Sequence, residues 1–276
     1  MKKTILLLLI VATQLAVAQN KNEFQLKVQY NPETKYDQTM DQTTHLEMKY
    51  SGDSEIIQKL KESGMQNPMI TDNNSVIESV FKTGKLSENK DFPLTIEFVK
   101  TTNSNDKIVI PSGTIIYGKG TLGNMPTLDS IVSPGLSEEF KKSMLQTMQA
   151  TFSQINIPER TVKVGDVFSI DTPMSIPMAG MQLEMTITTT YKLESIQKNI
   201  ADFDISQVFT MKTNTGKFPM NATGTGKGKL LYDIINNFNL KYQIDMEMSA
   251  NMKIKKMELD ITSKTGMIQT AKILKF

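Results

Sequence analysis

The sequence predicts a mainly β (α+β) protein, built as a long curved antiparallel sheet or half-barrel with two covering helices, at about 54–63 and 137–155. Three observations carry that expectation. Apolar and polar residues alternate with a period of two through most of the second half of the chain. Only two segments show helical periodicity with proper end signals. There are no cysteines, so neither a disulfide framework nor a thiolate metal site can hold the fold, and a hydrophobic core must do so.

The first residues read as an export signal. Lys2 and Lys3 precede an apolar stretch from Ile5 to Ala12, and Ala16-Val17-Ala18 is an A-x-A cleavage site. The expected organisation is a signal peptide at 1–18, an N-terminal β-rich half with two helices at 19–157, and a C-terminal antiparallel half at 158–276. The halves are expected to form one continuous domain. Nothing after the signal approaches the ~18 apolar residues of a membrane helix, and no cysteine offers a lipid anchor. The expected address is periplasmic or extracellular, soluble and unanchored.

In the N-terminal half, strands are expected at 24–30, 44–50, 75–83, 93–101, 106–110 and 114–118. Ser54 to Ser63 carries Ile56, Ile57 and Leu60 and stops at Gly64. Ser137 to Ile155 has Ser137 as N-cap, Glu138 and Glu139 in its first turn, and an apolar stripe of Phe140, Met144, Met148, Phe152 and Ile155. Near Pro158 a second unit begins. Val162 to Phe168 reads as strand, turn, strand, and residues 181–193 alternate cleanly. Another strand runs through Leu230 and Tyr232. Asn236-Asn237 turns it into a run from Phe238 to Ala250, because asparagine tolerates positive φ. The alternation slips near Lys255-Lys256, as at a bulge or short turn. Gly266 is expected to turn the chain into a last strand.

Length sets a further constraint. A 13-residue strand spans about 43 Å, and roughly ten to twelve strands make a sheet ~50 Å wide. Helices of about 15 and 28 Å cannot cover that area. The uncovered apolar face must curl, meet a second sheet, or hold something.

Composition excludes several functions. Without Lys2 and Lys3, 29 basic residues balance 29 acidic ones. Arg160 is the single arginine, so the residue that dominates phosphate and base recognition is nearly absent, and no nucleic-acid partner is expected. There is no tryptophan for sugar stacking. Gly118 to Gly123 matches G-x-G-x-x-G, but Asn124-Met125-Pro126 follows where a nucleotide site needs a helix. Gly224, Gly226 and Gly228 lack the Ser or Thr of a phosphate loop and read as a strand with glycine on one face. His45 is the sole histidine, too few for a multi-histidine zinc site, and no G-x-S-x-G elbow accompanies it. Phe276, a final aromatic, invites comparison with outer-membrane barrels, but the 7% aromatic content is low for aromatic girdles.

Methionine is the compositional oddity, with 19 residues. Its flexible, polarizable side chain suits surfaces that adapt to apolar ligands, and it equally fills ordinary cores. Met174, Met178, Met181 and Met185 form a Pro-bounded group that resembles a copper-binding loop by composition, without supporting His or Cys. Otherwise it is a hairpin loop. The candidate ligand-binding residues are Met181, Met185, Tyr191, Tyr242, Met246 and Met248 on the strands, with Phe140, Met144 and Met148 on the longer helix.

Val162-Lys163-Val164-Gly165-Asp166 with Phe168, Tyr191 to Ile196, and the Gly224–Asp233 stretch resemble an uncharacterised family of exported proteins of Bacteroidota. In architecture the chain is similar to the lipoprotein-carrier group typified by LolA and LppX. That resemblance implies a curved half-barrel whose helices cover a concave, acyl-binding side, and it carries over no functional residue. The expected function is therefore a non-catalytic envelope protein binding a lipid or other apolar ligand, with no metal or cofactor. The alternatives are a structural or protein-interaction module, with another envelope protein as partner, and a hydrolase using carboxylates alone.

Overall fold

The computed structural model describes residues 22–105, 110–154, 159–178, 181–212, 220–254 and 256–276. The expected signal peptide at 1–18, most of the strand expected at 106–110, Ile155, Pro158 and Lys255 lie outside them.

Among the described residues, thirteen strands and two helices follow in chain order. They are β1 (Glu23–Leu26), β2 (Thr34–Gly52), α1 (Ser54–Glu62), β3 (Met69–Thr83), β4 (Asp91–Asn103), β5 (Thr114–Thr121), β6 (Thr127–Val132), α2 (Glu138–Gln154), β7 (Arg160–Lys163), β8 (Val167–Met178), β9 (Met181–Gln197), β10 (Ile200–Lys212), β11 (Met220–Asp233), β12 (Phe238–Ile254) and β13 (Met257–Lys275). Eleven form one antiparallel sheet in the order β6-β5-β4-β3-β2-β13-β12-β11-β10-β9-β8, and β1 pairs with β7 in a separate ladder. The sheet is open, as the mainly β reading with two helices anticipates. Pairing of β13 with β2 joins the strands of the first half to those of the second.

Local chemistry explains the ends. Asp53 caps α1 by accepting from Glu55 N at 3.0 Å, and Gly64 follows the helix at φ +80°. Ser137 Oγ accepts from Phe140 N at 3.3 Å at the start of α2. Between β11 and β12, Asp233 Oδ1 accepts from the backbone N of Ile235 and Asn236, and Asn237 sits at φ +53°.

Several expectations need correction. Gly266 does not turn the chain; it lies inside β13, which runs unbroken for 19 residues. A strand tolerates a glycine where neighbouring strands supply the hydrogen bonds, and here both β2 and β12 do so. Near Lys256, Ile254 stands opposite Met257, so of the two expected alternatives, bulge or short turn, the chain takes the turn. Residues 173–178 are not a loop but the end of β8, with Pro173 opposite Thr186 and Pro177 opposite Gln182. Proline is admissible there because β8 is an edge strand. Ile110 is not in a strand.

The sheet is strongly curved. Ten strand gaps at ~4.8 Å would hold the edges of a flat sheet roughly 48 Å apart. Yet α2, about 26 Å long, packs on edge strand β6 and also touches the opposite edge, β8. Gln149 stitches it to β6, accepting from Leu128 N at 2.7 Å. The helix therefore bridges the two borders of a rolled sheet. The shorter α1 packs at the far end of β2 and buries no residue.

Two cores occupy one end of the roll, here called the base. In the first, Phe24, Leu26 and Val162 of the small ladder cover Leu193, Phe203, Leu230 and Tyr232. In the second, Tyr30, Tyr36, Phe81, Phe98 and Phe238 are packed from below by α2. Each such buried side chain contributes about 1.5–3 kcal/mol of transfer free energy. A third, smaller cluster of Met211, Ala222 and Ala250 lies at the other end of the strands.

Candidate functional site

The registers assign every strand residue to one of two faces. On the face that carries all three clusters, from β3 through β8, the described strands place no Asp, Glu, Arg or His, and a single Lys, Lys275, at the end of β13. The opposite face is charged along its whole length. There Lys229 pairs with Asp204 at 2.9 Å, Lys264 with Glu247 at 3.3 Å, and His45 Nδ1 with Asp72 Oδ1 at 2.7 Å. Those pairs are exposed and contribute little, because water and salt screen them. His45 is thus a surface residue of the charged face.

Between the base cores and the far cluster, the charge-free face is only half-buried. Its middle is lined by Ile187 of β9, Phe209 of β10, Met246 and Met248 of β12, Met267 of β13 and Leu46 of β2. On β11 the same face has Gly224, Gly226 and Gly228. A Cβ on Gly228 would lie 1.9 Å from the Gln243 carbonyl oxygen, and one on Gly224 2.6 Å from that of Glu247. Glycine is required there because β12 crosses so closely. At Gly226, Met246 and Ile244 lean over the bare backbone, 3.1 and 3.2 Å from where a Cβ would stand.

The expected site residues fall into three groups. Met246 and Met248 lie in the half-buried middle. Met185 packs against the far cluster, and Met181 stands opposite Met178 at the start of β9, its side chain outside the described residues. Tyr191 and Tyr242 rest on the first base core. Phe140, Met144 and Met148 do not join them. Met144 and Met148 pack on the second base core with Leu145 and Phe152, and Phe140 is exposed.

Tyr242 meets a partner that the sequence reading missed. Gln207 of β10 donates through Nε2 to the Tyr242 hydroxyl at 3.2 Å and to Thr189 Oγ1 at 3.0 Å. Tyr191 stacks on Phe168 at 5.2 Å and meets Phe203 edge-on at 6.3 Å. Burial pushes both phenols above their ordinary range, and for Tyr242 the neighbouring Tyr191 adds to that while the Gln207 bond opposes it. Both stay neutral. A second neutral contact lies nearby, where Gln269 Nε2 donates to Gln38 Oε1 at 3.0 Å. The signal for Gln207 was its place in the alternation Ala201, Phe203, Ile205, Gln207, Phe209, Met211: one polar residue in an apolar frame.

Among the described residues, open hollows lie on the charged face and outside the base, the first of them also reaching Gly226 and Met246. One of about 610 Å³ opens over the charged face around Gly266, His45, Asp72, Lys227 and Asp245. The other, about 790 Å³, lies outside the base beside Phe24, Lys27 and Ile196. Among the described residues no group of three or more His, Asp or Glu is placed to hold a metal ion.

No protein-family profile matches the chain, and no curated protein matches it in sequence. Solved structures similar to it include an engineered protein described for asymmetric conductivity, with TM-score 0.28, 8% identity, and 85% of this chain and 100% of the other covered. A triple mutant of Rhodopseudomonas blastica porin gives TM-score 0.26, 8% identity, 85% and 100%. Ail, the attachment invasion locus protein of Yersinia pestis, gives TM-score 0.16, 4% identity, 84% and 98%. Likeness at this level says nothing about function.

Proposed function

We propose that the protein is a non-catalytic, exported cell-envelope protein that holds a lipid acyl chain or another apolar ligand on its charge-free concave face. The observation that carries this reading is that the described strands from β3 through β8 place no charged residue on this face except Lys275 at one end, yet its middle is only half-buried. A solid core would bury it, and a mere surface would carry charge, as the opposite face does. The middle is rich in methionine, which accommodates varied apolar shapes. The similarity to the lipoprotein-carrier group is in keeping with such a role. A barrel standing in a bilayer would need an apolar outer band, and here the outer face carries Lys229, Asp204, Lys264 and Glu247. No described helix is long and apolar enough to cross a membrane.

Native mass spectrometry of protein from its own host, with uptake of the apolar fluorophore 1-N-phenylnaphthylamine, tests the reading. Co-purifying lipid and saturable uptake are expected. Absence of both would leave the second reading, a structural or interaction module, which the open hollow of about 610 Å³ on the charged face favours.

A further inference from the structure

The cluster of Tyr191, Gln207, Tyr242 and Thr189 joins three strands, β9, β10 and β12, at the border between base core and half-buried middle. Its hydrogen bonding is incomplete. Both contacts of Gln207 run through Nε2, so its Oε1 has no partner among the described residues. The Tyr191 hydroxyl has none either, and the Tyr242 hydroxyl accepts from Gln207 without a partner for its own hydrogen. The rings are held by packing on the base core, so these polar ends are fixed in place. Polar groups left over in a partly buried, pre-set arrangement are what a ligand head needs.

The surroundings restrict what kind of head. A carboxylate or phosphate at this place would find no Lys, Arg or His on the same face of β9 to β13 beside it, and the guanidinium of Arg160, on β7, is engaged over the Phe168 ring at 4.5 Å; an anion taken from water without a partner is strongly disfavoured. On the far side of the cluster the surface turns apolar, through Ile187, Phe209, Met246 and Met248. From Tyr191 to Met185 along β9 is roughly 20 Å, longer than one leaflet's share of a hydrocarbon core that is about 30 Å thick.

We propose that this cluster receives the uncharged, hydrogen-bonding head of an amphipathic ligand, a hydroxyl or ester carbonyl, while the acyl chain runs along β9–β12 towards Met211. Hydroxyls of Tyr191 and Tyr242 donate to the ester carbonyl, and Gln207 Oε1 accepts from a ligand hydroxyl. The assignment rests on the reading that the face binds an apolar ligand, and it names the ligand class: neutral acyl esters and alcohols over fatty acids and anionic phospholipids.

Displacement of 1-N-phenylnaphthylamine from the full exported chain by 1-monolauroylglycerol and by laurate at pH 8 separates the two ideas. Monolauroylglycerol is expected to compete at about tenfold lower concentration than laurate, the size of one or two well-made hydrogen bonds. Gln207→Leu and Tyr242→Phe should each shrink that ratio at least threefold, while Ser206→Ala, on the charged face, leaves it unchanged. If Gln207→Leu fails to fold, Tyr242→Phe, which removes one oxygen, decides. Absence of any fluorophore binding overturns the carrier reading and this assignment together. Binding with equal displacement by both compounds, or a ratio indifferent to both variants, overturns the head-group assignment alone.

Discussion

Tyr232 donates its hydroxyl hydrogen to the carbonyl oxygen of Lys27, tying β11 to the chain just after β1 across 205 residues of sequence. Its ring stacks on Phe24 with centroids 5.4 Å apart. The small ladder thus acts as a plug for the base core. Tyr232→Phe keeps the ring and loses the bond, leaving a carbonyl short of a partner, and should cost about 1 kcal/mol. Tyr232→Ala should cost about 3–5 kcal/mol through loss of ring packing. Urea unfolding measures both, and equal losses would mean that the stack contributes nothing.

The same residue contributes to an alkaline limit that it shares with Tyr30, Tyr36, Tyr191 and Tyr242, which burial also raises. Burial pushes the Tyr232 phenol up to about 12 from 10.0. Its folded pKa is above the unfolded one, so its contribution is complete below pH 10 and declines as pH rises towards 12. Urea midpoints should therefore hold steady to about pH 9 and fall beyond pH 10. Tyr232→Phe should flatten that fall, and an unchanged slope would refute the assignment.

A charge placed on the open face should abolish binding without unfolding the sheet. Met248 is half-buried, and Ser249 beside it points to the charged face. Met248→Lys is expected to weaken fluorophore binding at least about tenfold, because the ammonium must stay hydrated where the ligand lies. Ser249→Lys should bind as the unaltered chain does. Equal binding by both would place the ligand elsewhere.

Gly228→Ala should destabilise the fold by about 1–3 kcal/mol, since its methyl group meets a backbone oxygen that cannot swing aside. Thermal unfolding should register the loss. An unaltered midpoint would show that β11 and β12 can part without cost.

Much of this architecture is readable from the residues. Strict alternation through Met181 to Leu193 and Phe238 to Ala250 marks β9 and β12, and Ser137 with Glu138 and Glu139 marks the start of α2. Two strands escaped that reading. In β6, six residues are too few for a period to stand out, and in β10 the Asp202 and Asp204 that interrupt the apolar run sit on the charged face and pair with Lys229. Pro173 and Pro177 suggested a loop because their tolerance depends on edge position, which is a property of the whole sheet. The site was half legible for a similar reason. Tyr191 and Tyr242 show themselves by type, but Gln207 becomes the partner of Tyr242 only when β10 and β12 curl together.

The sheet's central seam joins β2 to β13, with every other long strand lying between them in sequence. Contacts of such wide separation form late, because the intervening chain must be brought together first. Until they form, β2 and β13 each present a bare ladder of unsatisfied amides and carbonyls, a template for sticking to other chains. Synthesis halted before Met257 would therefore release two adhesive borders in place of one sealed joint, which makes the last nineteen strand residues the protein's own safeguard against clumping.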